Sequence, residues 1–390
     1  MLKTGIIWIS GLAIALVSGL TAMGAIAKNK APELAIALPP TNGYAAENIA
    51  SKSVQIAIAE NAGQFPDQID PKVSELARQA FIAEPVTPEA VAVLALSGAD
   101  QSKRELMGKA LSLTRRQPLI TAWMIADSGA QKDIPALLNH YDSMLRTNSS
   151  AASAIIPVMA EALADESFIA PYTSLLEKQP PWASQFWGAV VRTPVSVVNA
   201  ALLREALYKP DENDDIYRDA GLIRTLAFNQ HFETAEALYH LLAGQKETSS
   251  FVKNGSFDAE PEFYPIDWQL FSTGEYGAAV TGGKLQLSAI QNSGGLFARQ
   301  LVKLPAKIVK LDIKPRDPIP DNARIIVSLR CAQAMDNAPR TIRIPLEREI
   351  TDLQINNANS GCSFYWMEIS GRASENGGGF DIALDSISLR

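Results

Sequence analysis

The sequence predicts a multi-domain chain of the α plus β class: an N-terminal transmembrane helix, an α-solenoid of paired helices, and a C-terminal β-sandwich or jelly roll. Three observations predict it. An uncharged apolar run spans Gly5 to Ala27. A long Ala- and Leu-rich stretch then keeps helical spacing, and beyond it short alternating runs are separated by turn residues. The corresponding domains are 1–30 (anchor or signal peptide), 31–70 (linker with short helices), 71–244 (solenoid) and 251–390 (sandwich).

The run from Gly5 to Ala27 is flanked by Lys3 and by Lys28 and Lys30, and it is long enough to cross a bilayer, which takes about 20 apolar residues. Ala25-Ile26-Ala27 also satisfies a small-x-small cleavage site. Anchor and cleaved signal stay open, the length favouring the anchor. The expected location is the bacterial inner membrane as a single-pass protein with periplasmic domains, the alternative being a secreted periplasmic protein. The segment after Ala27 holds turn signals at Pro39-Pro40 and Asn42-Gly43.

From about Asp70 to Gly244, Pro85, Pro118, the Asn148-Ser149-Ser150 turn, Pro180-Pro181 and Pro210 punctuate the chain at intervals of roughly thirty residues, the period of paired-helix repeats. Each interval holds two helix-sized halves. One pair cannot bury its own apolar face, so the pairs must stack, and the resulting curved array serves partner binding. The acidic run from Asp211 to Asp219 lacks the glycine and the final glutamate of a calcium loop and reads as a solvated turn. The interval GLIRTLAFNQHFETAEALYHLLAGQ resembles a tetratricopeptide repeat, with Phe232, Ala235 and Tyr239 on the positions where that family packs its second helix. That resemblance implies a protein partner, here one in the cell envelope.

After Gly244 the character changes. The runs KLQLSAI, FARQLVKL, IVKLDIKP, ARIIVSLRC, RTIRIPL, TDLQINN, CSFYWMEISG and FDIALDSISL alternate with period two and end at Gly, Pro, Asn or Asp. In ARIIVSLRC, Ile325, Val327, Leu329 and Cys331 share one face, which places Cys331 inward. Cys362 is the only other cysteine, and export makes the pair a disulfide. If Cys362 meets Cys331 in the core, parity turns Phe364 and Trp366 inward and Tyr365 outward with Met367.

The start of this domain, Asn254, Gly255, Phe257, Asp258 and Trp268, and its end, Asp385, Ile387 and Leu389, resemble the two ends of galactose-binding-like jelly-roll carbohydrate-binding modules. The resemblance implies sugar binding and a structural calcium held by Asp258 and Asp385. Sugar binding needs flat aromatic faces and a few polar groups. Trp268, Phe271, Tyr276, Phe297 and Tyr365 are the candidate platforms. Arg299, Arg330 and Arg343 are the polar or anion-pairing partners, and they outweigh the aromatics if the glycan is polyanionic.

Composition narrows the function. The 390 residues carry 35 basic and 42 acidic side chains, net −7, which argues against nucleic acid. Three histidines and two cysteines leave few metal ligands, and no phosphate loop or G-x-S-x-G elbow is present. The expectation is a non-enzymatic envelope protein without a cofactor other than the calcium, whose solenoid docks a protein and whose sandwich binds glycan, in assembly or export of surface polysaccharide. The rivals are a purely structural scaffold and, further off, an enzyme acting on polysaccharide.

Overall fold

The computed structural model describes residue 18 and residues 20–37, 42–98, 100–209, 215–244, 250–333, 341–358 and 360–390. Most of the apolar N-terminal run lies outside these, as do residues 211–214 of the acidic run. Residues 20–27 are helical. Among the described residues no single helix is long and apolar enough to cross a membrane.

Among the described residues, every helix lies before Ala243 and every strand from Gln269 onward. It forms two compact units, one of residues 1–155 with 174–182, the other of 156–173 with 183–390. The first unit is built of helices, among them Gly43–Glu60, Pro71–Ala83, Pro88–Ser97, Asp100–Leu113, Pro118–Ala130 and Ile134–Thr147. Proline at the first turn starts several of them, where its missing N–H costs nothing. Asp70 and Asp133 cap their helices from the preceding position. Small residues fill the core, with Ala46, Ala50, Ala77, Ala80, Ala90 and Ala110 beside Val54, Met107 and Ile120, so the helices approach closely. Thr87 makes no side-chain cap for the Pro88–Ser97 helix. The buried Glu47 supplies it from another helix, accepting from the N–H groups of Glu89 (2.8 Å) and Ala90 (3.3 Å). Burial raises the Glu47 pKa while those two N–H groups hold it down.

Among the described residues of the second unit, ten antiparallel strands form two five-stranded sheets. They are β1 Gln269–Leu270, β2 Tyr276–Val280, β3 Leu285–Ala289, β4 Gly294–Lys303, β5 Ile308–Pro315, β6 Ala323–Cys331, β7 Thr341–Pro345, β8 Ile350–Asn356, β9 Phe364–Ala373 and β10 Phe380–Leu389. One sheet runs β1-β4-β9-β6-β7, the other β2-β3-β10-β5-β8. The eight alternating runs of the sequence correspond to β3 through β10. The two-residue β1 and the Gly-Ala-rich β2 carry too little alternation to be read in advance. Ile325, Val327, Leu329 and Cys331 face the core as their spacing requires, packed with Leu287, Leu311, Ile313, Met367 and Leu384.

Cys331 and Cys362 form a disulfide with an S–S distance of 2.03 Å. The parity drawn from Cys362 is nevertheless wrong. That residue lies before β9 rather than in it, and Cys331 stands opposite Tyr365. Tyr365 and Met367 therefore point inward, and Phe364 and Trp366 point to the outer side of their sheet. There the helices Ile216–Phe228 and Phe232–Leu242 cover them: Phe232 packs tilted against Phe364 at 5.2 Å and Phe228 stacks on Trp366 at 6.2 Å. Lys303 of β4 adds ion pairs to Glu233 (2.6 Å) and Glu236 (3.2 Å). Phe232, one of the repeat-like residues, thus spends its ring on the sandwich. Asp219, read as part of a solvated turn, is buried instead and receives Arg204 (2.9 Å) and Arg218 (2.8 Å), which ties this helix pair to the Val197–Ala206 helix.

Candidate functional site: an arginine-rich sheet face

Antiparallel pairing puts directly opposed residues on the same face. Register across the first sheet aligns Gln269 with Arg299, Arg299 with Glu368, Glu368 with Ser328, and Ser328 with Arg343. One polar row thus crosses all five strands. The row beside it contains Leu301, Trp366, Arg330 and Thr341, and toward the other end lie Ser370 with Ile326 and then Arg372 with Arg324. These are the outward positions, because the alternate ones, Ala298, Ile369, Val327 and Leu329, fill the core.

Arg299 is the centre of the site. Its guanidinium carbon lies 4.8 Å from the Trp366 ring centroid, 5.4 Å from that of Phe228 and 5.5 Å from that of Phe271. Its Nε donates to Gln269 Oε1 at 2.8 Å. Three aromatic rings and an amide fix the orientation of the fork without neutralising it. Burial lowers the Arg299 pKa from its ordinary value, Glu368 opposes that shift and Arg330 adds to it. The group stays charged all the same, since guanidinium deprotonation lies far above neutrality. Glu368 bonds Arg330 at 2.7 Å. Among the described residues no carboxylate forms an ion pair with Arg299, Arg324, Arg343 or Arg372, although Arg372 donates to Asn292. Arg324, Arg343 and Arg372 are exposed. Phe228, 46% exposed, stands at the rim as an aromatic wall beside this floor.

The remaining candidates scatter. Trp268 is 1% exposed, packs on Phe257 and donates its indole N–H to the Asn254 carbonyl at 3.2 Å. Phe297 and Tyr365 are also buried, and the Tyr365 hydroxyl donates to Asn357 Oδ1 at 2.5 Å. These three are core residues and present no face to a sugar. Tyr276 packs edge-on against Phe297 at 5.3 Å and borders a shallow depression with Thr273, Glu275, Gln291 and Asp381. Of the aromatic candidates only Phe271 meets Arg299, with Arg330 and Arg343 on the same face, while Tyr276 meets only the buried Phe297. The residues missed are Trp366, Gln269, Glu368 and Phe228. Correct parity in β9 exposes the first and third of these, whereas nothing in the sequence signals that Phe228 crosses over from the helical segment.

The motif residues at the two ends of the domain meet, and their job is structural. Phe251 donates to the Leu389 carbonyl and Ile387 to the Gly255 carbonyl, both at 2.8 Å. A Cβ at Gly255 would stand 2.1 Å from the Ile387 carbonyl oxygen, so only glycine fits that approach. Asp258 accepts from Ser256 Oγ at 2.5 Å, and Asp385 faces Arg316 at 3.8 Å. Among the described residues no three His, Cys, Asp or Glu side chains are grouped to hold a metal.

A cavity of about 900 Å³ adjoins these ends, lined among others by Tyr239, Lys253, Asp258, Glu262 and Asp267. Burial lifts the Asp267 pKa to about 6, against the N–H groups of Trp268 and Glu262 that hold it down. Burial, with Asp267 nearby, pushes the Tyr239 hydroxyl to about 12. Both carboxylate oxygens of Asp267 are engaged by backbone, so it braces the 262–268 loop.

No family model and no curated protein matches the chain. Among solved structures, TmCBM61, determined with beta-1,4-galactotriose, is 16% identical, with 37% of this chain and 99% of that one covered and a TM-score of 0.24. A structure of accessory secretory protein 1, 2 and 3 in Streptococcus pneumoniae is 15% identical, with 32% and 97% covered and a TM-score of 0.23. Likenesses this slight carry no argument about what the chain binds.

Proposed function

We propose that this is a non-enzymatic, membrane-anchored envelope protein whose β-sandwich binds glycan on the outer face of the β1-β4-β9-β6-β7 sheet, while the helical region docks a protein partner. A place in assembly or export of surface polysaccharide suits that arrangement by analogy. The observation that carries the reading is Arg299, held by Trp366, Phe228, Phe271 and Gln269 in a row that also offers Glu368 and Arg343. Sugars are recognised by an aromatic surface for the ring and fixed donors and acceptors for the hydroxyls; here the exposed Phe228 and half-buried Phe271 are the rings, over the buried Trp366, and Arg299, Arg343 and Glu368 are the polar groups. The test is a polysaccharide array probed with the full-length protein in detergent. Retention of a glycan, weakened about tenfold or more by Arg299→Ala, is expected from loss of a charged hydrogen-bonding group. Retention of no glycan by the wild type overturns the reading.

A further inference from the structure

The outward positions of β4, β9, β6 and β7 hold Arg299, Arg324, Arg330, Arg343 and Arg372 against the single carboxylate Glu368, apart from Lys303 at the end the helices cover. Glu368 pairs with Arg330. That leaves four guanidinium groups facing outward without a carboxylate among the described residues, on a chain whose overall charge is −7. Uncompensated charge of one sign on one face, in a protein of the opposite net sign, is complementary to an anionic ligand. Resting on the glycan reading above, we infer that the ligand is an acidic polysaccharide, a linear polymer bearing carboxylates, laid across the strands rather than along them.

The direction comes from the register. Arg299 and Arg343 belong to one row, three strand spacings apart, or about 14 Å at the usual interstrand distance. Between them stand Glu368 and Ser328, with Gln269 beyond Arg299. A chain following that row meets a cation, then the Glu368 carboxylate as a hydroxyl acceptor, then, past the buried Ser328, a second cation. An extended polyuronate offers the complement, because carboxylates recur along it with hydroxyls between. Arginine suits the task, since its planar fork accepts a carboxylate in bidentate fashion. Arg324 and Arg372, opposite one another toward the far end of the sheet, give a neighbouring charged strip. Glu368 in the middle of the row argues against a surface that selects charge alone. It sits where a sugar hydroxyl would donate.

The experiment is affinity gel electrophoresis of the full-length protein in detergent through polygalacturonate and through the same polymer with its carboxyl groups reduced. The inference expects retardation by polygalacturonate at least tenfold stronger than by the reduced polymer, declining as salt rises. Arg299→Ala and Arg343→Ala should each lose about tenfold of it. Lys310→Ala, which removes an equal charge from the opposite sheet, should lose none; unchanged melting temperatures keep folding out of the comparison. Equal retardation by both polymers overturns the acidic assignment and leaves glycan binding standing. Retardation by neither overturns both. Displacement by polyglutamate as effective as by polygalacturonate, at equal charge, also overturns the inference, because it would mark a surface for any polyanion.

Discussion

The two solvent-side faces of the sandwich are built from the same kinds of residue and treat their charges in opposite ways. On the β2-β3-β10-β5-β8 sheet, Lys310 pairs with Asp352 at 3.1 Å, Arg390 with Asp312 at 2.5 Å and Arg316 with Asp385 at 3.8 Å. Asp312 also accepts from the Asp352 N–H at 2.7 Å and from Ser388 at 3.3 Å, and these bonds keep its carboxyl below the usual range. Lys310, Arg390 and Arg316 thus have their anions within the fold, and Lys314 of β5 is exposed there without an ion pair among the described residues. On the β1-β4-β9-β6-β7 sheet, Arg299 is oriented by aromatic rings, and Arg324 and Arg343 face water. A face whose charges are satisfied by its own neighbours is a finished surface. One that fixes a guanidinium and leaves it without a counter-ion is prepared for something else.

The largest effect should come from Asp219→Ala, which strands the buried Arg204 and loosens the helix that carries Phe228. Removal of one partner of a buried pair costs about 3–5 kcal/mol, and chemical denaturation will measure it. If the wall matters, glycan retention falls as well. Breaking the disulfide with Cys331→Ser and Cys362→Ser should cost about 3–4 kcal/mol for a loop closed over a separation of 31 residues. It leaves Arg299 and Arg343 in place, so retention should survive at temperatures where the variant stays folded.

Asp267→Asn tests the cavity beside the domain ends. The native carboxyl titrates near 6 against an ordinary 3.8, raised first by burial. Its contribution to stability is therefore fully present below the unfolded value, is lost as pH rises through about 6, and is constant above. The wild type should lose on the order of 2 kcal/mol across that window relative to the variant, as melting temperatures between pH 4 and 7 will show. Asp312→Ala on the paired sheet should be the mildest, under about 1 kcal/mol, with no change in glycan retention.

Period and alternation carried most of the fold, and packing carried most of the site. Eight strands were legible because Ile, Val and Leu alternate with charged residues in runs such as ARIIVSLRC, and the core face of β6 followed directly. Breaks between elements were where counting failed. Parity carried from Cys362 across Ser363 into β9 reversed Phe364, Tyr365 and Trp366, since a cysteine outside a strand says nothing about faces within it. Trp268 looked like a platform because tryptophan often is one. Its burial follows from the tight turn at Gly255, which brings the Asn254 carbonyl to its indole N–H. Arg299, Arg330 and Arg343 could be nominated by type, but their alignment depends on β4, β9, β6 and β7 lying side by side, an order that does not follow the chain. The contact of Phe228 with Trp366 is more remote still, joining a helix to a strand far downstream.

The most direct test of the central claim is arginine modification by phenylglyoxal with and without saturating polygalacturonate, read residue by residue by mass spectrometry. The account predicts that the polymer protects Arg324 and Arg343, while Arg316 and Arg390 on the opposite sheet react at unchanged rates. Protection confined to Arg316 and Arg390, or unchanged rates at all four while the polymer is bound, would contradict it.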